Sequence, residues 1–168
     1  MFNEPDRYPD SKLSDVHFDG AIKIYGVKGL KGGAKRVSGY VTKQTITSGE
    51  DSLEKFKIFF TTTYSTNAIT PPEPILAGPY EACTETFVVI GPFDTQAELN
   101  NCYSYMQTNF FKVLLYFGKG TMQVTRAVFS LIPIQDFSHP WTDEMLYKKY
   151  NLTAEEIAFI ESMIRPME

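Results

Sequence analysis

Gln123 and Arg126 are the side chains in this sequence best suited to reading the hydrogen-bonding edge of another molecule. They stand in Gly120-Thr121-Met122-Gln123-Val124-Thr125-Arg126. A glutamine amide sets a donor beside an acceptor, which matches the major-groove edge of adenine, and an arginine fork matches guanine or a phosphate. The same residues also suit a helix start capped by Thr121, with Arg126 paired to an acid. A second polar run, Thr61 to Asn67, brings hydroxyls, an amide and an aromatic ring, with Thr63 and Tyr64 as its candidates. These groups suit base edges or phosphate oxygens, and equally an ordinary polar loop. The third candidate is Gly26 to Arg36, which holds Lys28, Lys31, Lys35 and Arg36 among four glycines and is followed by Lys43. Glycines let backbone amides approach a phosphate, and each cation that meets one releases counterions. The alternative is a solvated loop whose charges serve solubility. It does not match a P-loop, which needs G-x-x-x-x-G-K-[ST].

Catalytic and metal-binding patterns are missing from the same reading. Ser, His and Asp occur without a G-x-S-x-G elbow to place a nucleophile. Pro9-Asp10-Ser11-Lys12 bears a faint likeness to a nuclease metal motif, yet such sites need two acids and a lysine on adjacent strands, and this stretch lies in a polar lead-in. Cys83 and Cys102 form no C-x-x-C, and His17 and His139 are far apart, so no familiar zinc spacing can be assembled. Two reduced, buried thiols are expected. The expected catalytic and metal residues are therefore none, and no cofactor is expected in this chain.

The formal net charge of −4 argues by itself against a polyanionic partner, but its distribution does not. Residues 20–49 carry six cations, including Lys23, and no acid. Residues 107–135 carry Lys112, Lys119 and Arg126, again with no acid. Acids dominate elsewhere, with seven against three bases from Asp136 onward. Two acid-free segments in an acidic chain predict one basic face if they converge. With 43% hydrophobic and 14% aromatic residues over 168 positions, disorder is excluded as the default and one substantial core is expected. No apolar run reaches the roughly 18 residues of a membrane span, and no signal-peptide pattern opens the chain, so a cytoplasmic protein without a membrane partner is expected.

The elements that must position these residues follow from periodicity. Residues 1–18 read as an extended lead-in. Strands are expected near 21–25, 37–41, 56–60, 84–90 and 131–134, with 26–36 as a flexible loop between the first two. A short helix is expected within 45–55. Thr95-Gln96-Ala97-Glu98 is a capping box, and apolar residues at helical spacing from Leu99 to Phe117 predict one long helix ended by Gly118. Thr142 caps a short helix, and Thr153-Ala154-Glu155-Glu156 is a second capping box, with Leu152 and Ile157 as its staple. The fold class expected is α+β: a mixed sheet with one long covering helix and a C-terminal helical pair. In domain terms, 19–137 is the main domain and 138–168 the pair packed on it through Trp141, Leu146, Ile157, Ile160 and Ile164.

Several stretches carry a resemblance. Thr84-Glu85-Thr86-Phe87-Val88-Val89-Ile90-Gly91-Pro92-Phe93, Asn109-Phe110-Phe111-Lys112, Thr121 to Arg126, Gln135 to Glu144 and Ile160 to Met167 resemble the C-terminal segment of bacterial restriction–modification proteins. Those proteins join an adenine-specific DNA methyltransferase to a specificity region, as in type IIG-like systems. The likeness covers roughly 20–168, is most specific in the tail, and extends to the target-recognition half of type I specificity subunits. It implies a domain that reads double-stranded DNA for the methyltransferase or nuclease domains of a larger protein, where S-adenosylmethionine and Mg2+ belong. The Asn-Pro-Pro-aromatic motif that grips a flipped adenine has no counterpart here, since Pro71-Pro72 follows Ile69-Thr70 and precedes Glu73. The DNA contacts expected are Lys28, Lys31, Lys35, Arg36, Lys43, Thr63, Tyr64, Lys119, Thr121, Gln123 and Arg126. Two rivals remain: a restriction endonuclease in its own right, and a docking domain whose acidic 136–168 tail binds a partner subunit.

Overall fold

A computed structural model describes residues 13–30 and 33–164. The fold is α+β, with two three-stranded sheets and six α-helices among the described residues. The chain divides into two compact units, one of residues up to 60 with 74–94, the other of 61–73 with 95 onward. The expected division at 137/138 falls within the second unit.

In the first unit, β1 (Ile22–Leu30) lies between β2 (Gly33–Val41), antiparallel to it, and β5 (Glu81–Cys83), parallel to it. Most of the expected loop at 26–36 is therefore strand, in register from Ile22↔Val41 to Leu30↔Gly33. Ladder pairing satisfies backbone groups whatever the side chains are, so glycines that predict a loop are accommodated once both strands exist. Lys31, expected in that loop, lies outside the described residues. Side chains alternate across β1. Ile22 and Ile24 join Val41 and Leu53, with Leu13, Ile46 and Ala82 packed around them. Tyr25 and Val27, on the other face, pack against Phe59, Ala77 and Phe87. Of the lead-in, residues 1–12 lie outside the described part, while Ser14 pairs with Tyr40 by two backbone hydrogen bonds of 2.8 and 2.7 Å. That approach requires Gly39, where a Cβ would stand 2.7 Å from Leu13 Cδ1.

The second sheet runs β4 (Ile75–Ala77), β3 (Phe56–Thr61), β6 (Phe87–Phe93), with β3 and β4 antiparallel. As the middle strand, β3 buries Lys57, Ile58, Phe59 and Phe60 in succession. Lys57 is only 2% exposed. Its ammonium donates to the carbonyls of Ser52 (2.9 Å), Leu53 (3.2 Å), Lys55 (2.9 Å) and Gly78 (3.3 Å). Two of these belong to the short helix α1 (Glu50–Leu53), whose last carbonyls have no partner within the helix. Burial holds the Lys57 pKa below its ordinary value, opposed by the charge of Glu81.

The second unit is helical. The expected long helix is two: α2 (Gln96–Gln107) and α3 (Asn109–Gly118). The break is at Thr108, whose backbone is extended at ψ 150°. Apolar spacing survives a break of this kind, so periodicity alone does not reveal it. What compensates the break comes partly from elsewhere in the chain. Thr108 Oγ1 accepts from Phe111 N at 3.1 Å, and the Asp143 carboxylate accepts from Asn109 N and Phe110 N at 2.9 Å each. Three of the four donors that a helix start leaves open are thereby met.

Helix α3 is apolar on most sides and touches α2, α4 (Arg126–Phe129), α5 (Asp143–Lys149) and α6 (Ala154–Ile164). The C-terminal pair therefore packs on α3, with Trp141, Leu146 and Ile160 buried and Ile157 and Ile164 half-buried. Both caps form as their sequences predict: Thr142 Oγ1 accepts from Met145 N, and Thr153 and Glu156 make a reciprocal capping box. Leu131 to Ile134 is not a strand, and Ile134 is 88% exposed. Pro133 has no N–H for a ladder, and its carbonyl accepts instead from Tyr105 Oη (2.9 Å) and Gln135 Nε2 (3.0 Å). No helix among the described residues is long and apolar enough to cross a membrane.

Cys83 in the first unit and Cys102 in the second are free thiols, and burial pushes each up to about 12. Only the thiolate attacks a disulfide reagent. We expect dithionitrobenzoate at mildly alkaline pH to label both cysteines in denaturant and neither at a comparable rate in the folded chain. Rapid labelling of native Cys102 would contradict the burial described.

Candidate nucleic-acid interface

The two polar runs that are far apart in sequence, 61–67 and 120–126, meet in the second unit. Tyr64 N donates to Met122 O at 3.2 Å, Val124 N donates to Thr62 O at 2.7 Å, and Thr63 faces Gln123 in an antiparallel bridge. Because these bonds flank the Thr63–Gln123 pair rather than join it, this is the closer kind of antiparallel pair, with Cα atoms about 4.5 Å apart. Alternation does the rest. Tyr64 and Val124 turn inward and are buried, while Thr63 and Gln123 are exposed. Thr121 Oγ1 accepts from Gln123 N at 3.2 Å, which shapes the turn leading into the bridge. Arg126 is exposed at the start of α4, with Thr121 and Met122 also open to solvent. Thr121 does not cap α4; Thr125 holds that position, without a side-chain cap bond.

Two expected contacts are corrected by burial. Lys119 is 4% and Tyr64 7% exposed, so neither is placed to meet a ligand. The Lys119 ammonium lies 3.6 Å from the centre of the Tyr64 ring and donates to Ser65 O at 2.7 Å. Burial lowers the Lys119 pKa and raises the Tyr64 hydroxyl to about 12. A desolvated ammonium over an aromatic face is stabilised by about 2 kcal/mol. Lys119 thus fastens the 61–67 run to the end of α3, holding Thr63 against Gln123. In the sequence Lys119 resembles a surface cation because Gly118 and Gly120 flank it. The signal that points the other way is its place just past an apolar helix, where a cation can meet the helix's negative end.

The other basic candidates belong to the first unit. Lys28 and Lys35 are exposed and directly opposite each other on β1 and β2, and Val27 faces Arg36, which is half-buried. Lys43 is exposed in the 3-10 turn Lys43–Thr45. Lys23 is occupied: it stands 3.9 Å from Glu81 and 4.8 Å from the centre of the Tyr25 ring. The two acid-free segments therefore fall in different units, 20–49 in the first and 107–135 in the second. No protein-family model, no curated protein and no solved structure matches the chain.

Proposed function

We propose that this chain reads a short sequence in double-stranded DNA, as the specificity module of a restriction–modification system whose methyltransferase or nuclease chemistry resides in other domains. The observation that carries this reading is the Thr63–Gln123 pair: two exposed polar side chains fixed side by side by backbone bonds from distant segments, with Arg126 on the next turn. A reader of base edges needs such preorganisation, because a glutamine that must be ordered on binding loses part of what its two hydrogen bonds contribute. In this reading Gln123 addresses adenine and Arg126 guanine, each bidentately, while Thr63 and Thr121 take single bonds. S-adenosylmethionine and Mg2+ serve the catalytic domains of the larger protein.

Selection from a random duplex pool, followed by titration of the winner and a scrambled control, tests the proposal. Gln123→Ala and Arg126→Ala should each cost about 1–3 kcal/mol on the selected sequence and relax the choice at one base pair, with little change on the scrambled duplex. Equal losses on both duplexes would remove the base-reading role. A pool that yields no preferred sequence would instead favour the docking reading, which the exposed stack of Phe117 on Phe159 (6.2 Å between ring centres) supports.

A further inference from the structure

The hairpin of the first unit outruns the strand that supports it. β5 pairs with β1 only at Lys23, Ile24 and Tyr25, and the chain leaves that edge at Thr84, whose N–H donates to Tyr25 O at 2.9 Å. From Gly26 to Leu30, β1 is paired with β2 alone among the described residues. Val27 is the last side chain of β1 packed on the core, and Lys28, Gly29, Ala34 and Lys35 are all exposed. Three further residues at about 3.3 Å each carry the ribbon roughly 10 Å beyond its last packed side chain.

The cross-strand partner of Lys28 is Lys35. Side chains directly opposite in an antiparallel pair have Cβ atoms about 5 Å apart on one face, and like charges there are destabilising. Among the described residues neither lysine meets a carboxylate, whereas Lys23, five positions before Lys28 on the same strand, has Glu81. A projecting ribbon with an uncompensated pair of cations, each followed toward the tip by a small exposed residue, Gly29 or Ala34, fits an anion that enters from outside. It carries no amide or guanidinium between Lys28 and Lys35 that could discriminate bases.

We infer that the paired segments 28–30 and 33–35 form a two-stranded arm that lies along duplex DNA, with Lys28 and Lys35 gripping backbone phosphates without regard to sequence. A duplex major groove, about 12 Å wide, admits a ribbon of this kind. The inference rests on the DNA-reading proposal for its ligand but gives the ribbon a separate role, in which the arm positions the duplex and the Thr63–Gln123 pair selects its sequence.

The test uses the full chain and a mixed-sequence DNA duplex titrated at several salt concentrations. Lys28→Ala combined with Lys35→Ala should weaken binding about tenfold for every duplex alike and lower the slope of log affinity against log salt by about 1.8, two phosphate contacts at 0.9 each. Lys28→Glu separates binding from folding. It places opposite charges across the ribbon, so the thermal midpoint should hold or rise while duplex affinity falls. Unchanged affinity in either variant would overturn the arm, as would tighter binding to anionic lipid vesicles than to the duplex. A wild-type chain that selects a sequence from a random pool, with lysine variants of unchanged salt slope, would sink the arm and leave the reading intact. A chain that selects nothing, yet loses affinity and slope in the variants, would keep the arm and remove the reading.

Discussion

Replacing Lys57 with methionine should destabilise the first unit by about 2–4 kcal/mol, although methionine is the natural residue for a strand buried on both sides. The ammonium donates to four carbonyls, and removing it takes a charged bond from each, leaving Ser52 O with only Lys55 N (3.1 Å) and Leu53 O with only Tyr80 N (2.8 Å) among the bonds described. Bonds from a charged donor contribute about 1.5–3 kcal/mol each. Relief of the buried ammonium's own desolvation offsets part of that loss, so the figures do not add in full. Urea unfolding followed by far-ultraviolet circular dichroism measures it. A loss under about 0.5 kcal/mol would mean that the carbonyls find water and that the ammonium is not the fastener of α1.

Asp143→Ala should cost the second unit about 2–3 kcal/mol. One carboxylate holds two of the N–H groups at the start of α3, the helix around which the other four gather, and it sits where the helix dipole favours negative charge. Asp143→Asn keeps an acceptor but loses the charge, and about half of the loss is expected. Trp141, the only tryptophan in the sequence, is buried in the same unit and its fluorescence follows the transition. An alanine variant as stable as the wild type would show that Thr108 alone suffices to start α3.

The tail, in which the resemblance is expected to be most specific, is in structural terms a set of fasteners. Gln135 bonds Pro133 O, the Tyr150 hydroxyl and the Lys149 ammonium; Trp141 bonds Asp136 O through its indole and Ser104 through its backbone; Asp143 starts α3. Those residues can be specific to a family for reasons of packing, while the exposed pair that could read DNA comes from loops without a recognisable pattern. The strands near 21–25, 37–41, 56–60 and 84–90, the caps and the C-terminal helices were legible because periodicity and capping are local, whereas 131–134 is not a strand and most of the loop expected at 26–36 is. Three further features were not legible. The break at Thr108 leaves the apolar spacing intact, the cation count treats Lys119 as surface charge, and the Thr63–Gln123 bridge joins positions sixty residues apart. Each depends on a partner distant in sequence.

The segment 61–73 belongs to the helical unit yet is threaded between two parts of the strand-rich one, so the backbone crosses the boundary three times. Neither unit is therefore a transferable cassette. A gene truncated after residue 94 would express the first unit with a stray piece of the second. The complementary product, starting at 95, would lack Tyr64 and Ser65 and leave Lys119 buried without its ring and its carbonyl. Recombination between two such chains at one junction would break the bridge that pairs Thr63 with Gln123. A working chimera needs either the whole chain or three junctions, with 61–73 inherited alongside everything from 95 onward.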